Sequence, residues 1–290
     1  MNEFHPYRNK TAVLTTIHGK QEVIAPIFQD TLGVSLIVPE SVDTDVLGTF
    51  SGEIERQHSM LETLRLKVEL GMNRLNSNLG VGTEASFGPD PFIPFAPLHL
   101  EMILWRDLER GIEVLEQVRT NDTNYEHLRF KRVTEFDEEL ESYLRRVQFP
   151  SHKLIVLPNA RGGQNKIFKG IGDRVELQEA VKNCAGQSAD GMALIQTDMR
   201  AMMNPTRLKV IGESAMRLAN RLAHLCERCG CPGWGLVELV RGSPCDWCGR
   251  PTNQVWAEVH GCSSCAHRLK HVRKDGGQTA SPAFCDWCNP

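Results

Sequence analysis

The sequence predicts an α/β protein: a mixed sheet flanked by helices over residues 1–222, followed by a small cysteine-rich module over 223–290. Three observations carry this. Short apolar runs of strand length alternate with helical patterns through most of the chain. That helical periodicity stops near 223–226. Nine of the ten cysteines lie beyond residue 225, which leaves Cys184 alone upstream.

The first apolar run, 12–16 (AVLTT), leads through His18-Gly19-Lys20 into a helical pattern of Val23, Ile24, Ile27, Phe28 and Leu32. A second run at 34–38 (VSLIV) completes a β-α-β unit, whose crossover suits a parallel pair. Leu61, Leu64, Val68, Met72 and Leu75 then recur at helical spacing. Strands are predicted at 79–83, 100–105 and 112–118; the proline-rich stretch 88–97 between the first two cannot be a central strand. An acidic amphipathic helix near 135–147 precedes a strand at 153–157 and a glycine-rich basic loop at 161–172. A helix near 174–183 and an apolar run at 191–196 follow. Leu208, Ile211, Ala215, Leu218, Leu222 and Leu225 form a final stripe, predicted to pack on the α/β core because it is too short for a coiled coil.

Composition limits the function classes. Hydrophobic residues make up 41% and charged residues 24%, as in an ordinary globular protein with a sizeable core. A net charge of −3 supplies no global attraction to nucleic acid or anionic membranes. The apolar runs are too short to span a bilayer, and the polar N-terminus lacks the apolar stretch of a secretory signal. A cytoplasmic location with no membrane contact is the expectation.

Cysteines clustered in an unsecreted chain argue for metal over disulfides. The hooks are Cys226/Cys229, Cys245/Cys248, Cys262/Cys265 and Cys285/Cys288, each C-x-x-C. Such a turn points two thiolates at one ion, and two hooks complete a tetrahedron. Gly230 and Gly249 follow their hooks where a positive φ is needed. Eight thiolates fill two four-cysteine zinc sites with no open position, so the expected role is structural, in a zinc-ribbon-like module. Sequential pairing gives tandem ribbons and interleaved pairing a cross-brace; spacing leaves both open. Cys231 is an alternative to Cys229, and His260 or His267 to a thiolate. Seven Lys/Arg against six Asp/Glu in 226–290 make a poor phosphate-binding surface, apart from a basic run from His267 to Lys274. Trp234, Trp247, Trp256 and Trp287 read as module core, with base stacking as the alternative.

Three polar constellations sit where strands end. Thr15, Thr16, His18, Gly19 and Lys20 open the first helix, whose free N–H groups and Lys20 suit an anion; the P-loop glycine frame is absent. Gly82-Thr83-Glu84-Ala85-Ser86-Phe87-Gly88 places a carboxylate and a hydroxyl after a buried strand. The third joins the loop with Lys166 to Asp198, Arg200, Asn204 and Arg207 of DMRAMMNPTR.

The order of these motifs resembles the house-cleaning nucleoside-triphosphate pyrophosphatases of the inosine/xanthosine triphosphatase type. Their T-x-N-x-K turn is comparable to Thr16-Ile17-His18-Gly19-Lys20, and their later Glu-bearing helix and acidic turn to Glu53 or Glu62, Lys67 and Glu84. His18 replaces the usual Asn, one acid stands where two are common, and the Ser-His-Arg motif is absent. The features GTFSGEI, GTEASFGP, DMRAMMNPTR, CGCPGWG and CDWCNP also resemble an uncharacterised group of bacterial proteins. The pyrophosphatase resemblance implies an inosine-triphosphatase-like fold and metal-assisted attack of water on a nucleotide phosphate. Glu84 with Glu53 or Glu62 would hold Mg2+, and Thr16, His18, Lys20, Ser86, Lys166, Asp198, Arg200 and Arg207 would bind the phosphorylated substrate, with Phe87 and Phe92 flanking a base. The rival expectation is a non-enzymatic adaptor whose zinc module contacts protein or nucleic acid. Convergence of Lys20, Glu84 and Arg207 on one pocket separates the two.

Overall fold

The computed structural model describes residues 5–40, 42–48, 54, 56–131, 137–160, 166–272 and 279–289. Strand β1 (Thr11–Thr15), helix α1 (Gln21–Leu32) and β2 (Ser35–Ile37) form the parallel unit that the apolar spacing predicts. Helix α2 (Met60–Arg74) starts at a capping box, with Ser59 and Glu62 satisfying each other's backbone amides. Strand β3 (Leu79–Pro89) then lies parallel to β1, and β4 (Pro97–Asp107) and β5 (Ile112–Thr120) continue antiparallel. The sheet order is β2-β1-β3-β4-β5, a mixed sheet. The proline-rich stretch is the tip of the β3–β4 hairpin, where Asp90 accepts the Phe92 amide at 2.8 Å.

A second sheet departs from the expectation of one. Strands β6 (His127–Lys131), β7 (Leu154–Pro158), β8 (Phe168–Ile171) and β9 (Met192–Thr197) pair antiparallel in the order β6-β9-β7-β8. Helices α3 (Glu138–Arg146) and α4 (Arg174–Gln187) supply its core through Leu140, Tyr143, Leu177, Val181 and Cys184. Each helix begins on an aspartate cap, Asp137 and Asp173. Strands β6 and β8 are short and carry charged residues, so no apolar run marks them in the sequence.

Helix α5 (Pro205–Ala223) returns to the first sheet, capped by Asn204 with proline at its first position. Its stripe Ile211, Ala215, Leu218 and Leu222 packs with Phe28, Leu14 and Trp105 in one cluster, as the spacing predicts. The opposite face of the sheet takes α2 through Leu64, Val68 and Met72. This contact is close because Gly71 has no side chain: a Cβ there would lie 2.0 Å from the Thr15 hydroxyl. Beyond α5, strands β10 (Gly235–Arg241), β11 (Val255–Gly261) and β12 (Arg268–Val272) form a small antiparallel sheet between the cysteine hooks.

Candidate functional site

The turn between β1 and α1 brings Thr15, Thr16, His18 and Lys20 to one narrow pocket, together with Lys67 of α2, Thr83 and Glu84 of β3, and Arg207 of α5. Lys20, Glu84 and Arg207 therefore converge. Parallel pairing of β1 with β3 sets Thr15 opposite Gly82, so the end of β1 lies beside Thr83 and Glu84, which sit inside β3 and not past its end as a strand at 79–83 implies.

The charges in the pocket are paired but not cancelled. Lys20 is buried and donates to the Thr83 hydroxyl at 2.6 Å. Burial, reinforced by the Arg207 charge, pushes its ammonium down to about 7. Glu84 accepts from Lys67 at 2.6 Å and also from Arg56. Arg207 is 1% exposed and donates to Glu101 at 3.2 Å, while His99 meets the same carboxylate at 2.9 Å. Burial alone would raise Glu101; Arg207, His99 and Lys20 outweigh it and hold the carboxyl down to about 2. His18 is pushed down to about 3 by burial and by the surrounding cations, so it is neutral at physiological pH. Its Nδ1 is buried with no partner among the described residues, and Nε2 lies 3.6 Å from Asp45.

Beside this pocket lies a cavity of about 220 Å3 in the cleft between the two larger sheets. Ala85, Ser86 and Phe87 of β3 form one wall, and Ile155, Gln196 and Thr197 of the second sheet form the other. Phe87 stacks on Tyr125 at 5.7 Å and on His99 at 4.4 Å. Arg56 lines the cavity and holds Glu84 of the pocket, so the two spaces share a wall.

The remaining candidates scatter. Asp198 is buried, salt-bridged to Arg200 at 2.6 Å, and accepts the Gly170 amide. Lys166 lies outside the pocket, its ammonium over the Phe168 ring. Phe92 is 82% exposed at the hairpin tip and flanks no cavity wall of Phe87. Glu62 is spent on the α2 cap, and Glu53 with the loop segment 161–165 lies outside the described residues. Among the described residues the acids expected to hold Mg2+ do not gather: Glu84 already carries two cations, Glu62 caps α2, and only cysteines form a metal-sized cluster. Arg56, His99 and Glu101 were not foreseen. The polar pair His99 and Glu101 inside a hydrophobic strand was the available signal; Arg56 had none.

The cysteine hooks pair interleaved. Cys226, Cys229, Cys262 and Cys265 form one cluster, and Cys245, Cys248, Cys285 and Cys288 the other, with sulfurs within 4.8 Å of one another. Sulfurs of facing hooks lie 3.5 and 3.9 Å apart in the first and 3.6 and 3.9 Å apart in the second. A disulfide requires about 2.05 Å. A tetrahedral ion with zinc–sulfur bonds of about 2.3 Å sets sulfurs about 3.8 Å apart. The donor set fits zinc, and the module is a cross-brace, not two ribbons in tandem. Gly230 and Gly249 take φ of 69° and 70° after their hooks, as expected. Cys231 stands outside both clusters, near Ser263 and against the main core. His267 is held by Glu227 at 2.8 Å, and His260 faces Glu258. The tryptophans divide: Trp234 stacks on His267, whereas Trp247 and Trp287 are 77% and 65% exposed and are not core.

The chain belongs to a family described as a domain of unknown function, DUF6671, which matches residues 67–290. No curated protein and no solved structure matches it. Among the described residues, no helix is long and apolar enough to cross a membrane.

Proposed function

We propose that this DUF6671 chain binds a nucleotide or a related phosphorylated ligand in the cleft of its α/β body, and that its cysteine centres hold two structural zinc ions. The observation that supports the first part is the convergence of Lys20, Lys67, Glu84 and Arg207 with the neutral His18 on one pocket at the β1–α1 turn. Phosphate oxygens would meet Lys20 and Lys67, and the unpartnered nitrogen of His18 offers a further hydrogen bond. The adjoining cavity suits a planar group: Phe87 and Tyr125 give an aromatic wall, and Ser86, Gln196 and Thr197 supply hydrogen-bonding edges.

Binding is the reading the geometry supports. Metal-assisted hydrolysis would require Glu84 to exchange Arg56 and Lys67 for Mg2+; Asp45 lines the same pocket, but among the described residues the two acids belong to no cluster of three or more metal ligands. The zinc centres take no part in such chemistry, because four thiolates leave no coordination position for water or substrate.

A thermal-shift series with nucleoside mono-, di- and triphosphates, sugar phosphates and pyrophosphate tests the reading, since a ligand of the native state raises its stability by mass action. At least one phosphorylated compound should raise the Tm of the wild-type chain and fail to do so for Lys20→Met. If none does, or if the shift survives in Lys20→Met, the pocket is not a phosphate site. Product analysis of the same mixtures decides whether any ligand is hydrolysed.

A further inference from the structure

The two cysteine centres differ in what surrounds them. The inner one, built on Cys226 and Cys262, is anchored to the α/β body: Arg221 of α5 donates to the Gly233 carbonyl at 3.2 Å, and Cys231 packs on the main core. The outer one, built on Cys245 and Cys285, lies at the opposite ends of the β10–β12 strands. Strand β10 runs from Gly235, beside the inner centre, to Arg241, just before the outer one, and β11 runs back.

The outer centre is made from the same four-residue hook written twice, Cys245-Asp246-Trp247-Cys248 and Cys285-Asp286-Trp287-Cys288. Both tryptophans are turned to solvent, 77% and 65% exposed. Large aromatic rings left outside a small module are an interaction surface and contribute nothing to its core. One of the two faces already holds a cation. The Arg250 guanidinium sits 3.7 Å from the centroid of the Trp287 ring. That contact shows the chemistry the surface accepts, a guanidinium against an indole face.

The local charge points the same way. Asp246 and Asp286 each precede a tryptophan, and four thiolates on a divalent ion add about two negative charges at the centre itself. Arg250, on Trp287, and Arg241, at the end of β10, offset part of this charge; Arg273, Lys274 and Asp275 lie outside the described residues. A nucleic-acid backbone approaching these indoles would meet carboxylates and an anionic metal centre, which costs binding instead of steering it.

We propose that the outer cysteine centre is a docking tip for a basic segment of a partner protein. Arginine or lysine side chains of that segment stack on Trp247 and Trp287 and pair with Asp246 and Asp286, and Arg250 is the residue that gives way.

Fluorescence anisotropy on the zinc-loaded full chain tests this with three labelled probes: an alternating Arg-Gly peptide, an alternating Glu-Gly peptide and oligothymidylate. The Arg-Gly peptide should bind, and Trp247→Ala combined with Trp287→Ala should weaken it about tenfold at unchanged zinc content. Arg250→Ala should strengthen the same peptide several-fold, because it frees the Trp287 face. That sign separates the proposal from a nucleic-acid site, where loss of an arginine weakens binding. The proposal is overturned by a peptide affinity that ignores the tryptophans, by a loss of affinity in Arg250→Ala, or by tighter binding of oligothymidylate.

Discussion

The cysteine centres and the pocket around Lys20 gather polar groups in opposite ways. Each centre closes on itself: four thiols surround a space that fits one ion, with sulfurs of facing hooks 3.5–3.9 Å apart, and leave that ion no open coordination position. The pocket collects charges from the β1–α1 turn, α2, β3 and α5 and leaves them beside an open cleft. In the first case the ligand is part of the fold. In the second the fold holds unlike charges at short range, where a ligand can compete for them. Burial sharpens the contrast, because it depresses the Lys20 ammonium until a bound anion restores its charge.

Removing the metal should break this comparison most severely. A structural zinc contributes about 10–16 kcal/mol to the folding of small zinc modules, so chelation should abolish the near-UV circular dichroism of the C-terminal tryptophans. The α/β body, with apolar cores of its own, should keep a cooperative melt. Pairing is tested by metal content. With interleaved hooks, Cys226→Ser with Cys262→Ser retains one zinc, and Cys226→Ser with Cys245→Ser retains none; sequential pairing reverses the two results.

Next in size is the buried pair beneath the pocket. Glu101→Ala removes the carboxylate that faces the Arg207 guanidinium, and breaking a buried ion pair this way costs about 3–5 kcal/mol. A fall in Tm within the surface range would show that water already reaches Arg207.

The pH dependence of ligand binding should be smaller but diagnostic. Lys20 is charged below about 7 and neutral above, so affinity for a phosphorylated ligand should fall as pH rises through that value. His18, neutral from about 3 upward, adds nothing in this window. Lys20→Arg should flatten the profile, and a profile unchanged by that substitution would assign the titration elsewhere. The smallest effect belongs to Glu62→Ala, which loses the α2 capping box: a slight drop in Tm and unaltered ligand affinity. Loss of ligand affinity in that variant would return Glu62 to the site.

Legibility in the sequence follows the same division. The hooks were readable because each places its two ligands within four residues, so spacing alone implies the chemistry. Their pairing was not, because it depends on how β10, β11 and β12 bring distant hooks together. In the body, the β1–α1–β2 unit and the α5 stripe were legible from periodicity. Lys20 was legible as a post-strand cation. The second sheet was missed because β6 and β8 are too short and polar to signal strands. In the sequence Glu62 reads as a site acid because a carboxylate near a helix start suits a metal as well as a cap; in the structure it is the N3 glutamate that closes the capping box begun by Ser59. Trp247 and Trp287 were read as core from residue type alone, whereas their exposure is set by the hook, which turns its middle residues outward.

The most direct test is a calorimetric titration of pyrophosphate into the zinc-loaded chain below neutral pH, without added divalent cation. One binding site per chain, lost in Lys20→Met while the zinc content stays the same, is the predicted result. No heat of binding, or binding that persists in Lys20→Met, would contradict the claim that this pocket is where the protein meets its ligand.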